Sequence, residues 1–351
     1  MQLSKSIILI LVSVSSAVFL SAQATTQVGT TATTFLEIGM GSAANSMGEA
    51  YVAMADDATS VYWNPAGLAF MKNHEAVFMY QPYVVDIGSV FASVGLVSSL
   101  GTFGLSLTQF DYGDIEVTDM DHQDGTGETY SPNEFTLGLS YARKIVPWFA
   151  FGASAKLVHS KIWHCDASAF ALDLGAVVNT DFFSPTGEKE QGMKIGMSIS
   201  NYGTRMRYEG IDLLELADIE PNENGNADNV PVQFKTQEWE LPLIFRIGVA
   251  LKPIWSESNR LTLAIDALHP NNNNESVNTG AQYELRMPGT GSLYLRAGYK
   301  ALFMDNSEHG LTFGAGIKFN MMNNAALKVD YSYKELGILG DIPAFTVGVV
   351  F

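Results

Sequence analysis

The sequence predicts an all-β protein, a transmembrane antiparallel β-barrel of about fourteen strands. From Glu75 to the C-terminus, apolar side chains alternate with polar or very small ones in one segment after another. Successive side chains of a strand leave on opposite faces, so each segment has one apolar face. The connections alternate between short turns and long polar loops, as in barrels of the outer membrane.

The composition narrows the class of protein. Charged residues make up 16% of the 351 residues, below the roughly 25% of an ordinary soluble domain. The 37 acidic and 20 basic residues give a net charge of −17, which argues against a nucleic-acid partner because phosphate binding needs an excess of cations. A single cysteine, Cys165, excludes an intramolecular disulfide and a CxxC zinc or redox site.

The first residues predict export. Lys5 precedes the apolar run 7–20, and the sequence 22–24 (AQA) fits a cleavage site. The run is too short to span a bilayer comfortably, so residues 1–24 are interpreted as a signal peptide, with an N-terminal anchor as the alternative. Further along the chain we find no uncharged apolar stretch of about 18 residues, and helical membrane spans are therefore not expected.

The alternation gives the strand positions. The predicted strands are 75–83, 86–99, 102–111, 132–144, 148–161, 167–180, 193–201, 241–252, 259–268, 275–286, 291–301, 309–319, 324–334 and 343–351.

A soluble β-sandwich accepts the same alternation, but it has no reason to sort its connections by strand parity. The connections after even-numbered strands are mostly short, at 100–101, 145–147, 288–290 and 320–323. Several after odd-numbered strands are long, at 112–131, 162–166, 202–240 and 269–274. An outer-membrane barrel has short periplasmic turns and long outer loops, so the barrel is favoured.

The last strand ends in Phe351 after Phe345, Val347 and Val349. This alternation resembles the C-terminal signal that the barrel-assembly machinery recognises. An ordinary final strand is the alternative interpretation.

Charged residues on the inward faces predict a network in the lumen. Buried charges need partners, so a network that seals the bore is favoured over an ion filter. A barrel of this size is wider than its side chains fill, and a plug is expected. The predicted network consists of Lys156, Asp173, Arg246, Asp266, Arg296, Lys318, Lys328 and Asp330.

Residues 25–74 differ from the barrel region 75–351, because they are rich in small side chains and lack alternation. Such a segment packs closely against other backbone, as a plug in the bore does. Its sequence 64–67 (NPAG) is typical of a turn.

This segment carries a resemblance to a known family. The runs 46–53 (SMGEAYVA), 55–58 (ADDA) and 63–68 (WNPAGL) resemble the N-terminal signature of the PorV/PorQ family, which is related to the FadL/TodX long-chain fatty-acid transporters. The resemblance implies a fourteen-stranded outer-membrane barrel with an N-terminal hatch folded inward. The matching positions are Gly48, Glu49, Ala50, Asp56, Asp57, Asn64, Pro65, Ala66, Gly67 and Leu68. A turn that defines the fold is favoured for Asn64, Pro65 and Gly67 over contact with a substrate.

The resemblance leaves two functions open. PorV-like members belong to the type IX secretion system, and the implied partners are its translocon and the C-terminal domains of secreted cargo. FadL-like members are passive transporters of long-chain fatty acids or other hydrophobic compounds. The long connection 202–240 favours cargo binding, because an apolar cluster within acidic surroundings is typical of a docking surface. The cluster is Ile211, Leu213, Leu214 and Leu216, with Ile219 nearby, and a lid over the barrel mouth is the alternative.

No pattern indicates an enzyme, a metal site or a cofactor. Cys165 follows His164 in a predicted outer loop, but neighbours in sequence do not make a catalytic dyad. No nucleophile-elbow sequence occurs, and the six histidines show no metal-ligand spacing. The expected surroundings are outer-membrane lipid, and nucleic acid is not an expected partner.

Overall fold

In a computed structural model, residues 28–85, 87–220, 222, 229–304, 307–321 and 325–351 are described. The predicted signal peptide, 1–24, lies outside them. The described residues contain fourteen long strands. They are β1 (Glu75–Pro82), β2 (Gly88–Ser98), β3 (Gly101–Asp111), β4 (Asn133–Val146), β5 (Phe149–Ile162), β6 (Cys165–Asn179), β7 (Lys194–Gly203), β8 (Ile244–Trp255), β9 (Asn259–Pro270), β10 (Ser276–Met287), β11 (Gly291–Leu302), β12 (Leu311–Asn320), β13 (Ala326–Glu335) and β14 (Asp341–Val350).

The strands form a closed antiparallel barrel. Each long strand pairs with the next one along the chain, and β1 pairs with β14 from Glu75↔Val350 to Tyr80↔Phe345. The predicted fourteen-stranded barrel is therefore confirmed, and the predicted strand ends differ from the observed ones by at most three residues. Because the barrel is closed, no long strand is left with an unpaired edge. A sheet surrounded by hydrocarbon requires this, since unpaired backbone N–H and C=O groups are costly there.

The two faces of the wall differ as the alternation predicts. In β14, Phe345, Val347 and Val349 point outward and are exposed on the isolated chain, whereas Ala344 and Thr346 point inward and are buried. Other strands repeat the pattern with outward leucine, phenylalanine and tyrosine. An apolar outer belt around a more polar interior fits a bilayer.

Two connections differ from the predictions. Pairing of β5 with β6 continues to Ile162↔Cys165, so the predicted long loop 162–166 is a two-residue turn. Cys165 therefore begins β6 and does not lie in a loop. The connection 180–193 is long although it follows an even-numbered strand, and thus breaks the parity rule at the short-turn end.

The longest connection extends the barrel at the long-loop end, between β7 and β8. Within it, Glu209–Gly210 pairs with the start of β6, and a small hairpin joins Leu214–Ala217 to Val230–Gln233. The connection therefore contains a small sheet of its own, which is tied to the barrel wall.

The residues before β1 form short helical turns at Thr34–Glu37, Ser42–Asn45, Ser60–Trp63 and Pro65–Phe70. They pack against inward-facing residues of the strands, and their Trp63, Met40, Met47 and Leu68 are among the largest fully buried side chains. Among the described helices, none has the length and apolar character needed to cross a bilayer.

Candidate functional site

The N-terminal segment, residues 28–74, contacts the barrel wall at very short range. Gly48 has a φ of 64°, and a Cβ there would lie 2.6 Å from the carbonyl oxygen of Tyr299. Its amide donates a hydrogen bond to Thr312 Oγ1 at 2.8 Å. Only glycine combines this backbone conformation with this approach. The residue type that the family signature has at this position is thus explained by packing.

Glu49 is the most strongly anchored charge of the segment. Its buried carboxylate lies 2.8 Å from Lys300 Nζ and 3.1 Å from Lys334 Nζ, on β11 and β13. Burial alone raises the pKa of this carboxyl, but the two ammonium groups outweigh burial and lower it to about 2. Glu49 is therefore ionised and joins the segment to two strands by ion pairs.

Acid should release this anchor. Glu49 titrates at 4.5 when unperturbed and at about 2 here, so its contribution to stability is complete above pH 4.5 and is lost as the pH falls toward 2. The charge of Lys300, together with burial, lowers the pKa of the nearby His309 from 6.5 to about 3. This histidine takes up a proton on unfolding and adds a further loss below pH 6.5. The urea midpoint of the detergent-solubilised protein is expected to be steady above pH 6.5 and to fall below it. A midpoint that is unchanged down to pH 3 contradicts this assignment.

A buried carboxylate of β9 fixes the backbone of the segment. Asp266 Oδ2 accepts hydrogen bonds from the amides of Tyr51 at 2.7 Å and Val52 at 2.8 Å. Arg246 forms no ion pair with Asp266 among the described residues. It donates to Ser200 Oγ at 3.0 Å, and its guanidinium lies 5.8 Å from the ring centre of Trp63. Asp266 and Arg246, two residues of the predicted lumen network, thus contact the segment or its surroundings.

A second ionic anchor lies nearer the short-turn end. Lys328 Nζ is 2.5 Å from Glu75 Oε1 and 3.5 Å from Asp57 Oδ2. Asp56, the neighbour of Asp57, lies 3.8 Å from Lys194 Nζ. Glu75 is not among the predicted lumen charges, although it is in phase with the inward residues of β1.

The NPAG turn is built by a buried asparagine. Asn64 Nδ2 donates to the carbonyl oxygens of Val52 at 3.0 Å and Ala176 at 3.1 Å, and its Oδ1 accepts from the amide of Ala66 at 3.2 Å. Pro65 follows at the first position of a 3₁₀-helix, where its missing N–H costs nothing. These contacts fit a structural turn that also attaches the segment to β6.

The remaining predicted lumen charges divide into two groups. Lys156 pairs with Asp173 at 2.8 Å, and Arg296 pairs with Asp330 at 2.6 Å, as an inward network requires. Lys318 forms no ion pair with any residue that the structure describes.

The outer apolar patch, which we define as Ile211, Leu214, Leu216, Ile219 and Phe234, lies on the longest connection. Each of these side chains is 54% to 63% exposed. Leu213, which the sequence placed in the same cluster, is half-buried and does not belong to the patch. Phe234 was missed because it stands beyond the predicted cluster and joins it only through the hairpin. Acidic residues alternate with the patch residues in the sequence, namely Asp212, Glu215, Asp218 and Glu220.

The base of this connection is well anchored. Met206 is fully buried and its backbone pairs with Trp239. Asp212 Oδ1 lies 2.8 Å from His164 Nδ1 in the turn between β5 and β6. The amide of Ala32 donates to the carbonyl oxygen of Glu240 at 3.0 Å, which links the connection to the N-terminal segment. The patch is thus presented from a fixed base.

Two cavities lie on opposite sides of the segment. One of about 400 Å³ opens at the long-loop end and is lined by Phe35, Phe110, Tyr112 and Met304, with Lys300 among its polar residues. The other, of about 740 Å³, opens at the short-turn end, and twelve of the side chains that line it are charged. Within the described parts of the chain, no group of three His, Cys, Asp or Glu side chains is arranged to hold a metal ion.

The C-terminal residue closes the last ladder. The amide of Phe351 donates to the carbonyl oxygen of His74 at 2.9 Å, and the two rings lie 5.6 Å apart. This contact places the predicted assembly signal at the short-turn rim, where β14 meets the start of β1.

Comparisons with known proteins agree with this architecture. Solved structures with a similar fold include the toluene transporter TodX of Pseudomonas putida, at a TM-score of 0.54 and 12% identity, covering 89% of this chain and 96% of that one. The toluene transporter TbuX of Ralstonia pickettii follows at 0.53 and 11%, covering 89% and 97%. A FadL homologue of Pseudomonas aeruginosa gives 0.50 and 10%, covering 89% and 98%. At these identities the likeness shows the fold alone.

Comparison of the sequence shows the family. No curated protein matches the chain. The family model of the type IX secretion system protein PorV matches residues 21–215, which is more than half of the chain. The barrel and this match together show that the chain belongs to the PorV family of outer-membrane proteins.

Proposed function

We propose that this protein binds secreted cargo at the cell surface for the type IX secretion system and transfers it onward. The observation that carries the proposal is the outer apolar patch at the long-loop end. An apolar surface rimmed by charge is typical of a protein-docking site. Membership of the PorV family supports a role in type IX secretion. The proposed partners are the translocon of that system and the C-terminal domain of its cargo.

The form of the patch supports protein binding. Leu214 and Leu216 lie on one face of the first hairpin strand, and Ile211, Ile219 and Phe234 lie in the residues that flank the two strands. A lid over the mouth would bury these side chains, yet they are more than half exposed. The anchored base limits the ordering cost when a partner binds.

In this proposal the N-terminal segment is a plug that remains in place. Two ionic anchors, at Glu49 and at Lys328, hold it to β11 and β13, and Asp266 holds it to β9. Docking at the outer connection then requires no passage through the bore. The link between Ala32 and Glu240 supports a plug that also steadies the docking surface.

Two further partners are proposed from the same geometry. Outer-membrane lipid is proposed to cover the outward apolar belt. The barrel-assembly machinery is proposed to recognise Phe351. Residues 1–24 are proposed to direct export as a signal peptide.

The test measures cargo secretion by cells in which the protein has charged residues in place of two apolar residues of the patch. The variant with Leu214→Asp and Leu216→Asp is expected to assemble normally and to reduce secretion of C-terminal-domain cargo about tenfold or more, because two central apolar contacts are lost. The control is Phe183→Asp, which changes a side chain that is 78% exposed at the opposite end of the barrel. Normal secretion by the double variant, with equal amounts of protein in the membrane, contradicts the proposal.

A second candidate function is the passive transport of a hydrophobic compound. The observation that favours it is the 400 Å³ cavity at the long-loop end, where aromatic side chains lie next to cationic ones. Lipid that co-purifies with the protein in this cavity, together with normal cargo secretion by the patch variant, would select this candidate.

A further inference from the structure

The cavity of about 740 Å³ at the short-turn end has an uneven distribution of charge. Six cationic and six anionic side chains line it, in a chain whose net charge is −17. Near β13, each cation has a carboxylate partner: Lys328 faces Glu75 and Asp57, and Arg296 faces Asp330. The anions of this group outnumber its cations by one.

The neighbouring part of the cavity, on β9, β10 and β12, has an excess of cations. Arg260 and Arg286 both approach one carboxylate, that of Glu284, at 3.7 Å and 3.5 Å. Lys318 forms no ion pair within the described residues. Glu284 also accepts a hydrogen bond from Ser292 Oγ at 3.0 Å. The Glu284 carboxylate thus lies close to two guanidinium groups, and the ammonium group of Lys318 has no carboxylate partner among the described residues.

The register of the strands brings these cations together. Arg286 on β10 pairs with Ser292 on β11, and Ser292 pairs with Lys318 on β12. Their inward side chains therefore form one row across three neighbouring strands, and directly opposed residues in such a row lie about 5 Å apart. Arg260 lies one strand further, opposite Glu284. The hydroxyl of Ser292, between the two cations, donates to Glu284.

The guanidinium of Arg260 is held in place but not satisfied. It stacks on the ring of Trp255, with its central carbon 3.6 Å from the ring centre. Its Nε is buried and has no hydrogen-bond partner. A buried donor without an acceptor costs free energy, which an oxyanion would recover.

We propose that Arg260, Arg286 and Lys318 bind the oxyanion group, a phosphate or a carboxylate, of a small water-soluble ligand that enters from the short-turn end. Guanidinium groups bind such oxyanions through paired N–H donors, and the ammonium adds a point charge. The volume of the cavity lies within the range of small-molecule sites. Glu257, in the turn between β8 and β9, also lines the cavity, and its negative charge repels the bound oxyanion.

The test is calorimetric titration of the folded protein in detergent with two probes, inorganic phosphate and citrate. Binding is expected to weaken as the salt concentration rises. Arg286→Gln and Lys318→Gln should each weaken it about tenfold or more, since each removes a charge-assisted hydrogen bond. Glu257→Gln should tighten it, a result that damage to the fold cannot produce. Lys235→Gln, which removes a cation from the outer connection, is the control and should bind as the wild type does.

Absence of binding of both probes at millimolar concentration overturns the proposal. Equal affinities of the wild type, Arg286→Gln and Lys318→Gln overturn it as well. A short-chain phosphatidic acid distinguishes the source of the oxyanion: affinity equal to that of phosphate supports a water-soluble ligand, whereas much tighter binding overturns that part and assigns a lipid headgroup. Heat-modifiable mobility on gels shows that each variant is folded before titration.

Discussion

Replacing Glu49 with glutamine is expected to lower the free energy of unfolding by about 3–5 kcal/mol. The carboxylate is buried between Lys300 and Lys334, and its loss leaves two ammonium groups in the barrel without their anion. The measurement is urea unfolding in detergent, followed by tryptophan fluorescence. Trp63 reports on the segment because it is buried within it.

The control for this prediction is Glu238→Gln, which removes an exposed carboxylate 3.8 Å from Arg207 and should change the stability by less than about 1 kcal/mol. The double variant with Glu49→Gln and Lys334→Gln should regain part of the loss, because it removes one of the unpaired charges. Unchanged stability of Glu49→Gln would show that these ion pairs do not hold the segment.

Replacing Gly175 with valine is expected to displace the NPAG turn from the wall. A Cβ at this position of β6 would lie 2.1 Å from Asn64 Oδ1 and 2.9 Å from Pro65 Cδ. The asparagine cannot stay, and its three hydrogen bonds, worth about 1 kcal/mol each, are lost with it. Protease should then cut within the segment, and ion conductance in planar bilayers should rise.

Gly88→Val is the matched control, because a Cβ at this strand glycine meets no atom within 4 Å. It should leave conductance and protease resistance as in the wild type. If Gly175→Val behaves like this control, the segment does not occlude the bore in the way that we propose.

The strands could be predicted because lipid imposes a simple rule on each of them. A residue in the wall faces either hydrocarbon or the interior, so the pattern in β14, from Phe345 to Val349, is already visible in a few residues of sequence. The barrel was favoured over a sandwich because the lengths of the connections sort by strand parity. The turn at Trp163–His164 was mispredicted because polar residues at the ends of β5 and β6 look like loop even where the ladder continues.

The contacts of the N-terminal segment could not be predicted from the sequence. Glu49 is 251 and 285 residues away from its two lysines, and no local periodicity links positions that meet only when the barrel closes. Phe110 shows the same limit. It is out of phase with the outward residues of β3 because it points inward, where its ring packs 5.3 Å from that of Phe35.

The function of the outer patch is tested most directly by binding between purified proteins. The barrel in detergent is titrated with the isolated C-terminal domain of a secreted cargo protein. We expect the wild type and Phe183→Asp to bind it, and the variant with Leu214→Asp and Leu216→Asp to bind it at least about tenfold more weakly. Equal affinity of the wild type and the double variant would contradict cargo docking at this surface.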